Sequence, residues 1–195
     1  MTAGWRAGRA RFWAGLSRPE EEPTLMWLRD ATGDLSRASA SVAGEVPSGR
    51  ALGAGLGLHH DGAAEQLRIG LAPAAAAQAG LMLSLGDFTG SYVSISIDCP
   101  AGPIPRGAVL GLWVAHDPDR ARPVVRLNLQ CGVDLERPEA IVSLLPEGVL
   151  AEFDLAGLPA AAAAHGWFDV IFPPMRHQGL RISALRIHMR RRAPV

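Results

Sequence analysis

A ten-residue stretch, GSYVSISIDC at positions 90–99, alternates between apolar and polar side chains almost without interruption. The apolar side chains fall on one face of an extended chain: Val93, Ile95, Ile97 and Cys99. The polar ones fall on the other face: Tyr92, Ser94, Ser96 and Asp98. This period of two predicts a half-buried β-strand, because successive side chains of a strand point to opposite faces of its sheet. The polar face meets either water or a ligand.

Similar short segments recur from about residue 66 onward, separated by turn residues. They are LRIGL, GLMLSLGDF, AVLGLWVAH, PVVRLNLQCG, EAIVSLL, VLAEFDL, GWFDVIF and GLRISALRIHMRRR. No helix-length periodic segment separates them, which argues against a parallel sheet with crossover helices. The pattern predicts an all-β fold, an antiparallel two-sheet sandwich of jelly-roll or immunoglobulin-like type. In the last segment the alternation shifts at Ala184, which predicts a β-bulge.

The first part of the chain has a different character, which suggests two regions: an N-terminal extension over 1–60 and a β-sandwich domain over 61–195. The extension is rich in Gly, Ala, Ser and Arg and lacks sustained alternation. Short helices are predicted over Trp5–Leu16 and around Leu25–Asp30. On the first, the large apolar side chains form one stripe, which either packs on its own domain or docks a partner or a membrane surface. The sequence leaves open whether residues 1–60 are folded.

Charge and hydropathy restrict the partners of the chain. The formal net charge is zero at pH 7, so no global field attracts nucleic acid, and no nucleic-acid partner is expected. No apolar run reaches the roughly 18 residues of a transmembrane helix. The N-terminus lacks the apolar core of a secretory signal, which predicts a cytoplasmic protein. A local basic strip, RIHMRRR, ends the last predicted strand and serves either as a solubilising strand end or as a contact for phosphate or an acidic partner.

The two cysteines, Cys99 and Cys131, occupy apolar-face positions of predicted strands. We expect buried free thiols there, because free cysteine behaves as a small apolar side chain. Both would point into one core, so the sequence leaves open a disulfide between them.

Common catalytic motifs are absent: the sequence has no Gly-x-Ser-x-Gly, P-loop, dinucleotide-binding or His-Glu-x-x-His pattern, and no cofactor is predicted. His59, His60 and Asp61 are adjacent, so on a strand they point apart, which favours a surface turn over a metal site. Glu152 and Asp154 lie on one face of a predicted strand. Glycoside hydrolysis requires a pair of carboxylates, so these two residues are candidates for it. Their similar surroundings instead favour a solvated face, because an acid and a base need different environments.

Several segments together resemble an uncharacterised domain family of alphaproteobacteria with no assigned activity. The matching segments are GSYVSISID, VVRLNL with the later Gly132, AEFDLA, WFDVIF and the arginine-capped last strand, within residues 80–192. The chain departs from the family where Cys131 replaces a histidine, and where Arg176 and His177 replace a Pro-x-x-Asn segment. The resemblance implies a β-sandwich like that of carbohydrate-binding modules and implies no reaction.

Polar faces of two predicted strands form the candidate binding surface. The candidate ligand-binding residues are Tyr92, Ser94, Ser96, Asp98, Arg126, Asn128 and Gln130. Such hydroxyl, amide, carboxylate and guanidinium groups suit a sugar, and Tyr92, Trp113 or Trp167 would supply an aromatic ring beneath it. An ordinary solvated face is the alternative.

Three hypotheses follow. The chain is a non-catalytic module that binds a glycan or a protein partner through a polar sheet face, an assembly protein whose N-terminal segment docks a partner, or a glycoside- or ester-cleaving enzyme. The ligand, the strand order and the oligomeric state are not determined by the sequence.

Overall fold

Two antiparallel β-sheets packed face to face make up the fold. A computed structural model of the chain describes residues 25–35, 44–71, 81–85, 88–99, 101–117, 122–158, 163, 165–173 and 179–192. The strands are β1 (Leu25–Asp30), β2 (Gly44–Glu45), β3 (Arg50–Gly53), β4 (Leu56–His60), β5 (Leu67–Leu71), β6 (Leu81–Leu85), β7 (Val93–Asp98), β8 (Ala108–His116), β9 (Val124–Cys131), β10 (Asp134–Glu136), β11 (Ile141–Leu145), β12 (Gly148–Asp154), β13 (His165–Phe172) and β14 (Gly179–Arg191). Helical structure in the described ranges is limited to single turns at 32–35, Ala64–Gln66 and Leu155–Gly157.

The larger sheet, sheet A, has the order β11-β12-β8-β14-β6-β5-β2, with β1 also paired to β14. Sheet B has the order β10-β9-β13-β7-β4-β3. The predicted all-β, antiparallel two-sheet sandwich is confirmed. Non-consecutive strands are neighbours in both sheets, so the site described below is assembled from distant parts of the sequence.

The apolar faces of the two sheets form one core. Phe153 of sheet A and Phe168 of sheet B meet edge to face, with ring centroids 5.7 Å apart. Ile95 and Ile97, inward on β7, are fully buried. Each such side chain contributes about 1.5–3 kcal/mol when it leaves water, which is why the period of two is so regular here.

The last strand, β14, contains the predicted irregularity. Its pairing with β8 shifts register between Ile182 and Ala184. Ile182 and Leu185, on opposite sides of the shift, are both buried. The bulge therefore keeps both halves of the strand facing the core, and the prediction is confirmed.

The predicted helix around Leu25–Asp30 is wrong, because these residues form strand β1. They pair with β14 from Leu25 opposite Arg190 to Asp30 opposite Arg186. None of the six side chains is fully buried, so the strand lacks the alternation that would have identified it. The Arg29 guanidinium also donates to the Asp98 carbonyl at 2.8 Å, which connects β1 to sheet B.

Residues 44–60, assigned above to an extension, form three more strands of the sandwich. β2 joins sheet A, and β3 and β4 join sheet B, where β4 pairs with β7. Gly55, with φ +65°, makes the turn between β3 and β4. The strands of the sandwich therefore begin well before residue 61. The predicted helix at Trp5–Leu16 lies outside the described residues.

Arginines on the outer face of sheet A form ion pairs with carboxylates on neighbouring strands. Arg190 lies 3.1 Å from Glu152, and Arg192 lies 3.1 Å from Asp154. Arg186 lies 3.0 Å from Asp30. Three arginines of the basic strip thus have counter-ions within the protein, and the two acids of β12 are two of these counter-ions.

Candidate ligand-binding groove

The outer face of sheet B differs from that of sheet A, because it forms a groove lined by polar side chains, some of which have no partner among the described residues. Strands β7 and β9 are not neighbours: β13 lies between them and pairs with both. Their inward residues are apolar and buried, so their alternate residues face outward. The strand order therefore brings the two predicted polar faces onto one surface and inserts β13 between them.

Register fixes which outward side chains are neighbours. Ser96 lies opposite Asp169, and Asp169 lies opposite Arg126 on its other side. In the next row, Asp98 lies opposite Trp167. Directly opposite residues have Cβ atoms about 4.5–5.5 Å apart, which is close enough to contact one ligand together.

These rows form the floor of a groove with a volume of about 810 Å³. It is lined by His59, Tyr92, Ser94, Ser96, Asp98, Arg126, His165, Trp167, Asp169 and Ile171. The lining residues come from β4, β7, β13 and β9 and from the residue before β7. Four neighbouring strands span about 14 Å, since strands lie about 4.8 Å apart. The groove can therefore accommodate an elongated ligand that crosses the strands.

Trp167, on one of the two central strands of the groove, supplies an aromatic surface. Its indole is half-buried and stacks on His165, with ring centroids 5.6 Å apart and ring planes at 26°. The two side chains are two residues apart on β13, on the same face. The stack restricts the ring of Trp167 before any ligand arrives, which reduces the conformational entropy lost on binding.

Tyr92 lies at the start of β7 and is held by Asp61, which follows β4. The Asp61 carboxylate accepts hydrogen bonds from the amide of Ser91 at 2.7 Å and from the amide of Tyr92 at 3.2 Å. It also accepts one from the Ser91 hydroxyl at 2.5 Å. The Ser91 hydroxyl, followed by the amide donors, holds the pKa of Asp61 below its usual value. Asp61 is thus an anchor for the segment that carries Tyr92.

Ser96 and His59 form a hydrogen-bonded pair across β7 and β4. The distance from Ser96 Oγ to His59 Nε2 is 3.2 Å. Gly57, opposite Ser96, leaves the space for this pair: a Cβ there would lie 2.7 Å from Ser96 Oγ and 3.0 Å from His59 Nε2. A side chain at position 57 would therefore disturb the floor of the groove.

Two polar groups of the groove have no partner within the described part of the chain. The hydroxyl of Ser94 is buried and makes no hydrogen bond there. The guanidinium of Arg126 is exposed and has no hydrogen bond or ion pair with a described residue. Buried polar groups are nearly always hydrogen-bonded, so the Ser94 hydroxyl marks a position that calls for an explanation.

Five of the seven predicted binding residues line the groove: Tyr92, Ser94, Ser96, Asp98 and Arg126. The other two are engaged within the protein. Asn128 is 1% exposed and donates to Asp169. Gln130 donates to the carbonyls of Gly132 and Asp134, at 2.8 and 3.2 Å, and so supports the turn after β9. The binding role of all seven stays a prediction.

The predicted set omitted His59, His165, Trp167, Asp169 and Ile171. The alternation of HGWFDVIF places the last four on one face, and Trp167 was named above as one possible aromatic ring. Only the position of β13 between β7 and β9 brings them into the groove. Trp113, the other tryptophan considered, is buried on sheet A beside Leu150 and lies outside the groove.

Three further observations concern the cysteines, clusters of metal-binding side chains and long apolar helices. Cys99 and Cys131 are both free and buried. Among the described ranges, no cluster of three or more His, Cys, Asp or Glu side chains is suited to hold a metal ion. Within the same ranges, no helix has the length and apolar character needed to cross a membrane.

The sequence pattern of one protein family, described as a family of unknown function (DUF6478), matches residues 26–195. No curated protein sequence is significantly similar to the chain. Among solved structures, a xylan-binding module (CBM15) is 15% identical with a TM-score of 0.42, and the match covers 78% of this chain and 99% of that one. The CBM22-1 xylan-binding domain of Paenibacillus barcinonensis Xyn10C is 7% identical with a TM-score of 0.41, covering 89% and 99%. A family 11 carbohydrate-binding module from Clostridium thermocellum is 9% identical with a TM-score of 0.39, covering 75% and 96%. The similarity to these structures is one of fold alone. The sequence identities are too low to indicate a shared ligand.

Proposed function

The chain belongs to the DUF6478 family, and we propose that it is a non-catalytic module that binds a glycan in the groove of sheet B. Membership of an uncharacterised family, expected from the resemblance of residues 80–192, is confirmed and extends over 26–195. The observation that carries the proposal is the contrast between the two outer faces. Three arginines of sheet A have carboxylate partners, whereas the groove of sheet B contains a partly exposed ring and two polar groups without a partner among the described residues.

Glycan chemistry suits this arrangement. A pyranose has an apolar face, which packs on an aromatic ring such as Trp167, and a rim of hydroxyl groups. Carboxylates accept hydrogen bonds from hydroxyls, and a guanidinium donates to their oxygens. Asp98, Asp169 and Arg126 provide both kinds of group within one row or two of the ring. An elongated oligosaccharide lying across the strands would meet all of them.

A catalytic role for the same groove is less well supported. Ser96 and His59 have the hydrogen bond that an activated nucleophile needs. However, acyl transfer also needs donors for the developing oxyanion. Strand β7 is paired on both sides, with β4 and β13, so its backbone N–H groups around Ser96 are engaged in the sheet. In the described part of the chain, the backbone N–H groups beside Ser96 are therefore not available to an oxyanion, whereas the outward side chains can hold a ligand.

A nuclear magnetic resonance titration with neutral and acidic oligosaccharides tests the proposal. We expect chemical-shift changes at the amides of 92–98 and 126 and at the indole of Trp167. Trp167→Ala should lower the affinity roughly tenfold or more, as loss of a central aromatic contact commonly does. The absence of any shift at millimolar ligand would refute glycan binding.

Arg126→Ala provides a second test with a matched control. Loss of a charged hydrogen bond reduces affinity by about tenfold. Arg122 is also exposed, precedes the same strand and lies outside the groove. Arg122→Ala should therefore leave the affinity unchanged. Equal losses in the two variants would point to nonspecific electrostatics rather than to the groove.

A protein partner is the second candidate function, and the edge of sheet A favours it. Among the described residues, strand β11 pairs with β12 alone. Ile141, Val142 and Leu144 on it are 70%, 50% and 54% exposed. An apolar edge strand with free backbone groups can accept an extended peptide as an added strand. Val142→Lys should abolish such binding while sparing the groove, which separates the two functions.

A further inference from the structure

We infer that Asn128 and Arg137 are positioning residues that hold the Asp169 carboxylate ready for a ligand hydroxyl. The inference rests on the proposed function, because it assigns a role within the same groove. It also replaces the direct contact predicted for Asn128 from the sequence.

The first step of the argument is the burial of Asn128. Its side chain faces the same side of sheet B as the groove but is only 1% exposed. It does not line the groove, whereas its cross-strand neighbour Trp167 does. Asn128 is therefore below the surface that a ligand would touch and can act only through other residues.

The second step is the direction of the amide. Arg137 Nε donates to Asn128 Oδ1 at 3.1 Å. Asn128 Nδ2 donates to Asp169 Oδ2 at 2.8 Å. A guanidinium can only donate, so Arg137 requires the amide oxygen on its side and directs the NH₂ group to Asp169. Arg137 thus fixes an orientation that the amide alone would not have.

The third step concerns what remains free on Asp169. Oδ2 is engaged by Asn128, and Oδ1 has no hydrogen-bond partner among the described residues. Asp169 is half-buried and lines the groove between Ser96 and Arg126. A carboxylate held in one orientation loses less entropy when it accepts a hydrogen bond from a ligand. Oδ1 is therefore the acceptor that the groove offers to a glycan hydroxyl.

An exchange of the two side chains tests this assignment. Asn128→Ala should leave the protein folded but lower its free energy of unfolding and its affinity for the oligosaccharide, the affinity by about threefold to tenfold. The double variant Asn128→Asp, Asp169→Asn restores an amide-to-carboxylate hydrogen bond between the two positions and keeps an acceptor for Arg137. Its stability should return close to that of the wild type. Its affinity should recover only in part, because the amide oxygen that then faces the ligand is an uncharged and weaker acceptor than the carboxylate.

Arg137 gives an independent variant at an exposed position. Arg137→Ala should reduce the affinity by about threefold. Arg137→Lys keeps a donor and should recover most of the loss. A purely local surface role for Arg137 would leave the affinity unchanged in both variants, and that result would overturn the relay.

Two readouts separate failure of this inference from failure of the proposed function. A wild type that binds no oligosaccharide refutes glycan binding and, with it, the ligand role of Asp169. A wild type that binds, together with an exchange variant that recovers full affinity, overturns only the inference. The side-chain NH₂ resonances of Asn128 report on the relay without ligand: they should exchange slowly in the wild type and faster in Arg137→Ala.

Discussion

The imidazole of His188 lies directly over Gly111, its cross-strand neighbour on the outer face of sheet A. The two residues are paired in the β8 and β14 register. A Cβ at position 111 would overlap the imidazole ring, so only glycine leaves room for it. This space allows His188 to be almost completely buried and to reach Glu152 Oε1 at 3.6 Å. The absence of a side chain at Gly111 thus determines the position of the buried His188 side chain.

Gly111→Ala should consequently destabilise the protein. The added methyl group forces His188 from its place, and overpacking of this kind costs about 1–3 kcal/mol. Urea denaturation of the variant measures the loss. Gly107→Ala is the matched control, because a Cβ there meets nothing within 4 Å. An equal effect of the two substitutions would contradict the steric explanation.

Glu152 should make the stability depend on acidic pH. Burial alone raises its pKa, but the nearby His188 imidazole and the hydrogen-bonded, charged Arg190 guanidinium outweigh burial and hold the pKa below its usual 4.5. The folded state therefore favours the charged carboxylate. This stabilisation is complete above about pH 4.5 and is lost as the pH falls through the lower pKa of the folded state.

Glu152→Gln should accordingly be less stable than the wild type at pH 7, by roughly 1–2 kcal/mol. The variant should also lose less stability than the wild type as the pH falls from about 5 to about 3, the range in which the carboxylate titrates. Denaturation curves at several pH values give both quantities. Asp154→Asn is the control: Asp154 and Arg192 are largely exposed, so their ion pair contributes little. Parallel pH profiles for wild type and Glu152→Gln would contradict the prediction.

Cys99 should make the stability depend on alkaline pH. Burial, assisted by the neighbouring Asp98 carboxylate, raises the pKa of its thiol from 9.0 to about 12. A raised pKa means that the folded state holds the proton more tightly than the unfolded chain. The resulting stabilisation is complete below pH 9.0 and is lost as the pH rises towards about 12.

Cys99→Ala should flatten the decline of stability above pH 9. The chain has one tyrosine and no lysine, so few other side chains titrate in this range. The variant will be less stable at pH 7 because it loses packing, so the slope is the informative quantity. Unaltered slopes would show that the thiol does not titrate as described. In the wild type, the thiol should also resist alkylation near neutral pH.

Asp61→Ala should loosen Tyr92 without unfolding the sandwich. The substitution removes the acceptor for the amides of Ser91 and Tyr92. We expect broadened amide resonances at 91–92 and weaker glycan binding, with unchanged resonances in β13. Asp61→Asn keeps one acceptor oxygen and should give an intermediate result. Normal affinity in the alanine variant would remove Tyr92 from the set of binding residues.

The fold could be predicted largely from the alternation of side chains, because most strands bury one face. Alternation failed to identify strands whose two faces do not differ clearly in burial. Leu25–Asp30 is a strand with no fully buried side chain, and the segment over 50–60 is interrupted by Gly53, Gly55 and Gly57. Pairing with distant strands, which local patterns do not contain, decides the structure of both.

Only part of the groove could be predicted, because alternation does not contain the order of the strands. Alternation identified the polar faces of β7 and β9, so Ser96 and Arg126 were recognised. It could not reveal that β13 separates these strands, so Asp169 was left out and Trp167 was only one of three alternatives for the aromatic ring. Nor could it show that Asn128 is covered, because that depends on Asp169 and Arg137, residues that approach it only in the folded sheet.

The order of strands across the groove, β9-β13-β7-β4, also bears on how the protein folds. The groove joins His59 to Ile171, residues separated by more than half of the chain. Contacts between such distant residues form slowly, because long loops must close before the pairing is stabilised. No short fragment of the chain could contain the whole site. A partly folded chain would have part of its apolar core but would lack the groove. Ligand binding would therefore indicate that folding is complete. It would not detect early folding intermediates.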